Sequence, residues 1–241
     1  MTRAFFPVLW LGFGIALLAA TLPHAATAGS RIFIHYQKNM YYGLSDEDER
    51  RLAGDILARA PDTVSLQEVN RQNRAILKLL APAYPARHLC AFEGIGGVAV
   101  LSRWPLVKGS KRCFAAKGIA ALQVDSPAGR VWVMSVHLET PEKPLHRQMV
   151  RELAPALAAL SGPKIIGGDF NAFAGSASVT TLARAAGVTR LGPGFVTFRL
   201  AGLLGLTIDH VLVTGGQGRL ERLARIGSDH YGLLARFTLD F

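Results

Sequence analysis

The chain has 241 residues, half of them apolar, and a formal net charge of +10. That length fits one domain or two small ones, and the apolar share supplies a sizeable core without covalent staples. No repeat period or low-complexity tract is present, which excludes repeat arrays, and the basic excess favours an anionic partner: nucleic acid, a phospholipid surface or a phosphorylated small molecule.

Residues 1–28 read as an export signal. Arg3 gives a positive start, an apolar run extends from Ala4 to Leu22, and Ala26-Thr27-Ala28 has the small-x-small form of a cleavage site. The alternative is an uncleaved membrane anchor, since the run approaches the roughly 20 residues that span a bilayer. Pro7, Gly12, Gly14 and the small-residue site favour cleavage, which leaves residues 29–241 as one catalytic domain at a net charge of +9. The product is then periplasmic or secreted, or membrane-anchored if the segment is retained.

A first strand is expected over 31–37, followed by Asn39, a possible contact for metal or phosphate, with Gln37 as a rival amide. Ser45 caps a helix that opens on Asp46-Glu47-Asp48, carries Leu52, Ile56 and Ala60 at spacing four, and stops before Pro61. The strand 63–67 ends at Glu68, a carboxylate placed where magnesium takes its one or two protein carboxylates; Gln67 braces. A helix is expected over 71–80. Gly94, Gly96 and Gly97 match neither G-x-G-x-x-G nor a phosphate loop and read as a turn into the strand 97–102. Cys90 and Cys113 permit one disulfide or two reduced thiols, and without C-x-x-C spacing they argue against structural zinc.

Strands follow over 119–124 and 131–137, the second ending at His137, a candidate to donate to phosphate or to a leaving oxygen. A helix over 145–160 contains Pro155. The strand 164–168 then ends in Gly167-Gly168-Asp169-Phe170-Asn171, where a carboxylate and an amide two residues apart face one pocket and the glycines admit a ligand closely. Ser176 opens a helix that Gly187 closes. Leu200 to Leu206 is a glycine-broken apolar stretch, either a buried strand pair or a loop that enters lipid. The strand 207–213 carries Asp209, which pairs with His230, while His210 points to the opposite face as a structural residue. Asp229 is placed to hold metal, and a last strand runs over 233–239. Near-continuous apolar strands alternating with helices indicate a layered α/β protein, two packed sheets with helices outside; composition alone leaves an open doubly wound sheet as the rival.

Taken in order, Asn39, Leu66-Gln67-Glu68-Val69, Ser135-Val136-His137-Leu138, Gly168-Asp169-Phe170-Asn171, Ile208-Asp209-His210 and Ser228-Asp229-His230 predict metal-assisted hydrolysis of a phosphoester. Together with Gly97 to Pro105, they resemble the endonuclease/exonuclease/phosphatase superfamily over about residues 31–241. The resemblance implies a four-layer α/β sandwich with two mixed sheets and a Mg2+-dependent site, Mn2+ being the alternative ion. It implies that Glu68, with Asn39 and Asp229, holds the metal; that Asp169 and Asn171 position water and phosphate; that His230, paired with Asp209, is the base; and that His137 stabilises or protonates. The chain departs from the usual pattern at Gln37-Lys38, where an aromatic or small residue is commoner, and at Tyr231-Gly232.

The leading expectation is an exported phosphodiesterase acting on nucleic acid as a monomer without an obligate protein partner, with Arg71, Arg74, Lys108, Lys111 and Arg112 flanking the pocket. A phospholipid or sphingolipid phosphodiesterase is the alternative, motivated by Leu200 to Leu206. A catalytically silent binding module ranks below both because every carboxylate and histidine of the set is present, and no G-x-S-x-G elbow supports a serine hydrolase.

Overall fold

A computed structural model describes residue 1 and residues 31–241, apart from 93, 95 and 115–117; the expected export segment from residue 2 onward lies outside the described residues. Among the described residues the elements in chain order are β1 (Phe33–Asn39), α1 (Asp46–Arg59), β2 (Thr63–Val69), α2 (Ile76–Leu79), β3 (Ala86–Cys90), β4 (Gly97–Ser102) and β5 (Arg112–Cys113). Then come β6 (Ile119–Ser126), β7 (Gly129–His137), α3 (Pro144–Ala158), β8 (Lys164–Asp169), α4 (Ala177–Ala186) and β9 (Thr189–Arg190). The chain closes with β10 (Phe198–Leu200), β11 (Leu204–Leu206), β12 (Asp209–Val213), β13 (Gln217–Arg222) and β14 (Leu233–Thr238).

Two mixed sheets result, in the orders β13-β14-β1-β2-β4-β3 and β5-β6-β7-β8-β12-β9, with β10 and β11 as a separate hairpin. Phe33, Val100, Leu122, Val133, Ile165, Val211 and Leu233 fill the space between the sheets. On the far side of the first sheet, Tyr36, Val64 and Leu66 pack with Leu52 and Ile56 of α1 and Ile76 of α2. On the far side of the second, Met134, Val136 and Ile166 pack with Met149 and Leu153 of α3 and Val179 and Leu182 of α4. The four-layer sandwich is therefore a direct result of strands that are apolar on both faces.

The interior changes character along the strands. Inward positions of β1 run Phe33, His35, Gln37, Asn39, and those of β7 run Val131, Val133, Ser135, His137, so one end of the sandwich is oily and the other polar. Every functional candidate on a strand lies at the polar end.

Several expectations are corrected. The segment 71–75 is not helical: Asn70 accepts from the amides of Gln72 and Asn73, and Asn73 accepts from the amide of Asn70, so side chains hold the backbone in turns and only Ile76–Leu79 is helix. The glycine pair before Asp169 does not open a path for a ligand. A Cβ at Gly167 would meet His35 Nε2 at 2.3 Å and Ser65 Oγ at 2.4 Å, and one at Gly168 would meet the Val136 carbonyl at 2.1 Å. Both glycines serve close packing within the sandwich. The stretch 200–206 is not a buried strand pair: Leu200, Leu203 and Leu204 of the hairpin are exposed, Leu203 at 84%. Cys90 and Cys113 form a disulfide between the end strands β3 and β5.

Candidate active site

Parallel pairing of β1 with β2 and of β7 with β8 ends four strands at one level. Asn39 lies beside Gln67, and His137 beside Asp169. Antiparallel pairing sets Asp209 of β12 directly opposite Asp169. Glu68 breaks the alternation of β2 with φ at 58°, in a register shift between Leu66 and Val69 that turns its carboxylate toward the strand ends.

A pocket of about 350 Å³ opens there, lined by Tyr42, Glu68, Gly94, Gly96, His137, Glu139, Thr140, Asp169, Asn171, Phe198, Asp229 and His230. Six of the eight expected site residues thus share one wall. The other two stand behind it: Asn39 Nδ2 donates to Glu68 Oε1 and to Asp169 Oδ2, each at 3.0 Å, and Asp209 Oδ2 accepts from His230 Nδ1 at 2.8 Å. No lysine or arginine is among the described lining residues, so Arg71, Arg74, Lys108, Lys111 and Arg112 do not form the pocket wall.

Asp169 Oδ2 is the centre of the arrangement. His137 Nε2 lies 3.7 Å from it and His230 Nε2 lies 3.6 Å from it. Its other oxygen accepts the Asn171 amide at 2.8 Å, an Asx turn that holds Asn171 at φ 47°. The Asn171 side chain donates to the Leu138 carbonyl, which leaves its amide oxygen to face the pocket.

Burial and the neighbouring Asp209 charge push the Asp169 carboxyl up to about 6, against the opposing pull of His230 and His137. Burial alone would depress the His230 imidazole, but Asp209 and Asp169 outweigh it and raise it to about 10. Asp209 is held below the ordinary carboxylate value: burial opposes its charge, and His230, Thr197 and Gln37 overcome that opposition. The donor atoms of Asp169, Asp209 and His230 lie within 4.8 Å of one another. With His230 Nδ1 already committed to Asp209, this trio is a proton-sharing group. His88, Cys90 and Cys113 are also close, but both sulfurs are spent in the disulfide.

A buried polar chain supports the site from behind. Gln37 Nε2 donates to Asp209 Oδ1 and Gln67 Oε1, Gln67 Nε2 donates to Ser135 Oγ, and Ser135 Oγ donates to the Leu66 carbonyl. Thr197 Oγ1 accepts the Asp209 amide. Gln37 is thus no rival to Asn39; two residues earlier on the same face, it sits one layer deeper. Thr197 and Lys38 carry no motif signal, and Ser135 lies within the Ser135-Val136-His137-Leu138 signature without a role of its own there. His210 is on the opposite face, as expected, donating from Nε2 to the Ala172 carbonyl and packed against Phe170.

Known proteins share the fold described above. The model of the Endonuclease/Exonuclease/phosphatase family matches residues 37–230. No curated protein matches by sequence. Among solved structures, TDP2 of D. rerio complexed with a single-strand DNA product superposes with a TM-score of 0.70 at 17% identity, covering 86% of this chain and 99% of that one. Sphingomyelinase C from Streptomyces griseocarneus gives 0.67 at 17% identity, covering 86% and 100%. A beta toxin mutant from Staphylococcus aureus with bound magnesium ions gives 0.65 at 14% identity, covering 86% and 100%.

Proposed function

Because this chain belongs to the endonuclease/exonuclease/phosphatase family and is a phosphoester hydrolase, we propose that it is an exported, divalent-metal-dependent phosphodiesterase that acts on nucleic acid. The observation that carries the reading is the convergence of Glu68, His137, Asp169, Asn171, Asp229 and His230 on one pocket.

The donor set suits a hard cation. Glu68 and Asp229 face the same space, and Asp229 Oδ1 is buried without a hydrogen-bond partner among the described residues. Such an orphan is costly unless a cation or polar ligand meets it. With no lysine or arginine among the described lining residues, and with His230 already set against the Asp209 and Asp169 carboxylates, the charge of a bound phosphate also needs a further counterpart. Glu68 and Asp229 would hold the ion, with Asn39 fixing Glu68; when bound, Mg2+ or Mn2+ would supply positive charge to offset that of the phosphate.

The protein's own groups divide the remaining work. Asn171 Oδ1 orients the attacking water, and Asp169 takes its proton. His230, charged between Asp209 and Asp169, donates from Nε2 to a phosphate oxygen as negative charge grows there. His137 Nε2 approaches from the other side and protonates the departing oxygen. Asp169 therefore replaces His230 as the base expected from sequence, since a histidine between two buried carboxylates holds its proton. Turnover of bis(p-nitrophenyl) phosphate is expected to need Mg2+ or Mn2+, to stop with chelator, and to fall about 10²–10⁴-fold in Asp169→Ala. Full turnover in chelator would refute the metal reading.

The net charge of +9 after cleavage supports a polyanionic substrate. The disulfide supports export, because such bonds persist in oxidising compartments. Mass spectrometry of expressed protein is expected to find a mature terminus at Gly29; an intact Met1 terminus in the membrane fraction would favour the anchor.

A second reading, a lipid phosphodiesterase, has its own observation. A groove of about 850 Å³ lined by Phe173, Leu200, Leu204, Leu206 and Ile208 adjoins the pocket and shares Thr140, Asn171 and Phe198 with it. The exposed leucines of the β10–β11 hairpin rim it. Plasmid DNA and phospholipid vesicles compared as substrates separate the readings: Leu203→Ser with Leu204→Ser should abolish vesicle binding under the lipid reading and leave DNA cleavage unchanged under the first.

A further inference from the structure

Lys38 is fully buried, on the helix-facing side of β1, and no carboxylate lies within 4.0 Å of its ammonium among the described residues. Its Nζ donates to the carbonyls of Arg225 (2.6 Å) and His230. Both acceptors belong to the connection between β13 and β14, the segment that carries Asp229 and His230. Ser228 fastens the same segment, donating from Oγ to the Asn39 carbonyl and accepting the His230 amide. The connection also passes through left-handed backbone at Ile226 and Gly227, with φ 46° and 75°, so it does not hold its path as a regular element would.

Stability alone gives a poor account of this lysine. An amine at a fully buried position loses its hydration, and two neutral carbonyls return only part of it. A methionine of similar length would fill the same space without that penalty. What the amine uniquely supplies is two directed N–H bonds to the peptide groups on either side of Asp229, and either protonation state of the amine has the two hydrogens required.

We propose that Lys38 is a positioning residue, a strap from β1 that fixes the 225–230 backbone so that the Asp229 carboxylate and the His230 imidazole both point into the pocket. It touches neither substrate nor ion and acts through the two residues it holds. The assignment rests on the phosphodiesterase reading for its kinetic consequences but not for its structural one. Asp229 lies between the two fastened points, Ser228 and His230, so freeing the His230 carbonyl moves both functional groups together. Displacements of about 1 Å at such groups lower turnover by up to about a hundredfold.

The test compares wild type with Lys38→Met and Lys38→Arg. In Lys38→Met, kcat on bis(p-nitrophenyl) phosphate is expected to fall about ten- to a hundredfold with KM within about threefold. Mg2+ affinity by calorimetry is expected to weaken about tenfold, and amides 225–231 to exchange at least tenfold faster while those of β7 and β8 are unchanged. Lys38→Arg, which keeps the donors, should recover part of each loss. If Lys38→Met does not fold, Lys38→Gln, whose polar tip falls short of the carbonyls, carries the same expectation. A folded variant with wild-type kcat, or with wild-type exchange over 225–231, overturns the proposal. If wild type itself hydrolyses no phosphodiester, the function assigned above fails, and the exchange measurement still decides the strap.

Discussion

Asp209 influences the chemistry from outside the pocket. Its two oxygens accept from His230 Nδ1 and Gln37 Nε2, so the carboxylate is met by donors on both sides. Asp209→Asn must turn an NH2 group against one of them, which loosens the imidazole and removes the charge that keeps it protonated. The expected result is a fall in kcat of about 10²–10⁴-fold with the melting temperature little changed, read from steady-state kinetics beside a thermal melt. His35 gives a prediction of the opposite kind, on stability alone. Burial between the sheets, where its ring meets Thr63 and Ser65 hydroxyls, lowers its pKa to about 3. The unfolded chain, near 6.5, binds the proton first as pH falls, so stability is complete above that value and declines as pH drops toward 3. Denaturant unfolding at pH 8 and pH 5 should differ by about 2 kcal/mol from this residue, and His35→Gln should flatten the difference. At this scale the motif residues were legible because charged groups at the ends of apolar strands stand out. The bracing roles of Gln37, Ser135 and Thr197 were not, because a neutral polar side chain inside a sandwich has the same sequence appearance whether it braces an aspartate or merely satisfies its neighbour.

Elements were legible in proportion to how completely they are buried. The central strands β4, β7, β8 and β12 contain apolar runs, β2 alternates Val64 and Leu66 with buried polar residues, and the expected spans of all five agree with the structure to within two residues. The edge strands carry a weaker signal: β13, Gln217 to Arg222, is largely polar and exposed, and β3, Ala86 to Cys90, is short, with Arg87 and His88 breaking its apolar pattern and its three central residues half-buried. Caps marked helix ends reliably: Ser45 accepts from the Asp48 amide and Ser176 from the Val179 amide, and Gly187 closes α4 in left-handed backbone. The helix expected from Arg71 failed because Ile76, Leu79 and Leu80 are apolar on their own account, while asparagine side chains control the turns before them. The junction of β7 and β8 supplies a test at this level. A Cβ at Gly168 would stand 2.1 Å from the Val136 carbonyl, and the strand that must move carries Asp169. Gly168→Ala is expected to destabilise by about 1–3 kcal/mol and to lower activity in the fraction that folds, both measurable by denaturant titration and kinetics. An alanine variant with wild-type midpoint and kcat would show that the two strands have slack there.

Across the whole molecule, staple and site occupy different parts of the sheets. The functional side chains come from β1, β2, β7, β8 and β12 and the connection into β14, strands in the middle of the two sheets or beside it. The disulfide joins β3 to β5, the last strands of the two sheets on one flank, and so ties the sandwich shut where, among the described residues, no further strand covers its edge. Its 23-residue separation corresponds to a loop-closure contribution of about 3 kcal/mol, because the cross-link restricts the unfolded chain. Replacing both cysteines by serine should therefore lower the melting temperature by about 6–12 °C. Below that temperature the apolar interior still clamps the central strands together, and the Asp209–His230 and Asn39–Asp169 bonds do not pass through the edge. Well below the melting point, kcat of Cys90→Ser/Cys113→Ser should accordingly remain within about twofold of wild type, the stability term and the catalytic term being carried by sites too far apart to couple strongly. A large loss of kcat in a variant shown to be folded would mean that the flank sets the pocket's shape, through the Gly94 and Gly96 wall that follows Cys90.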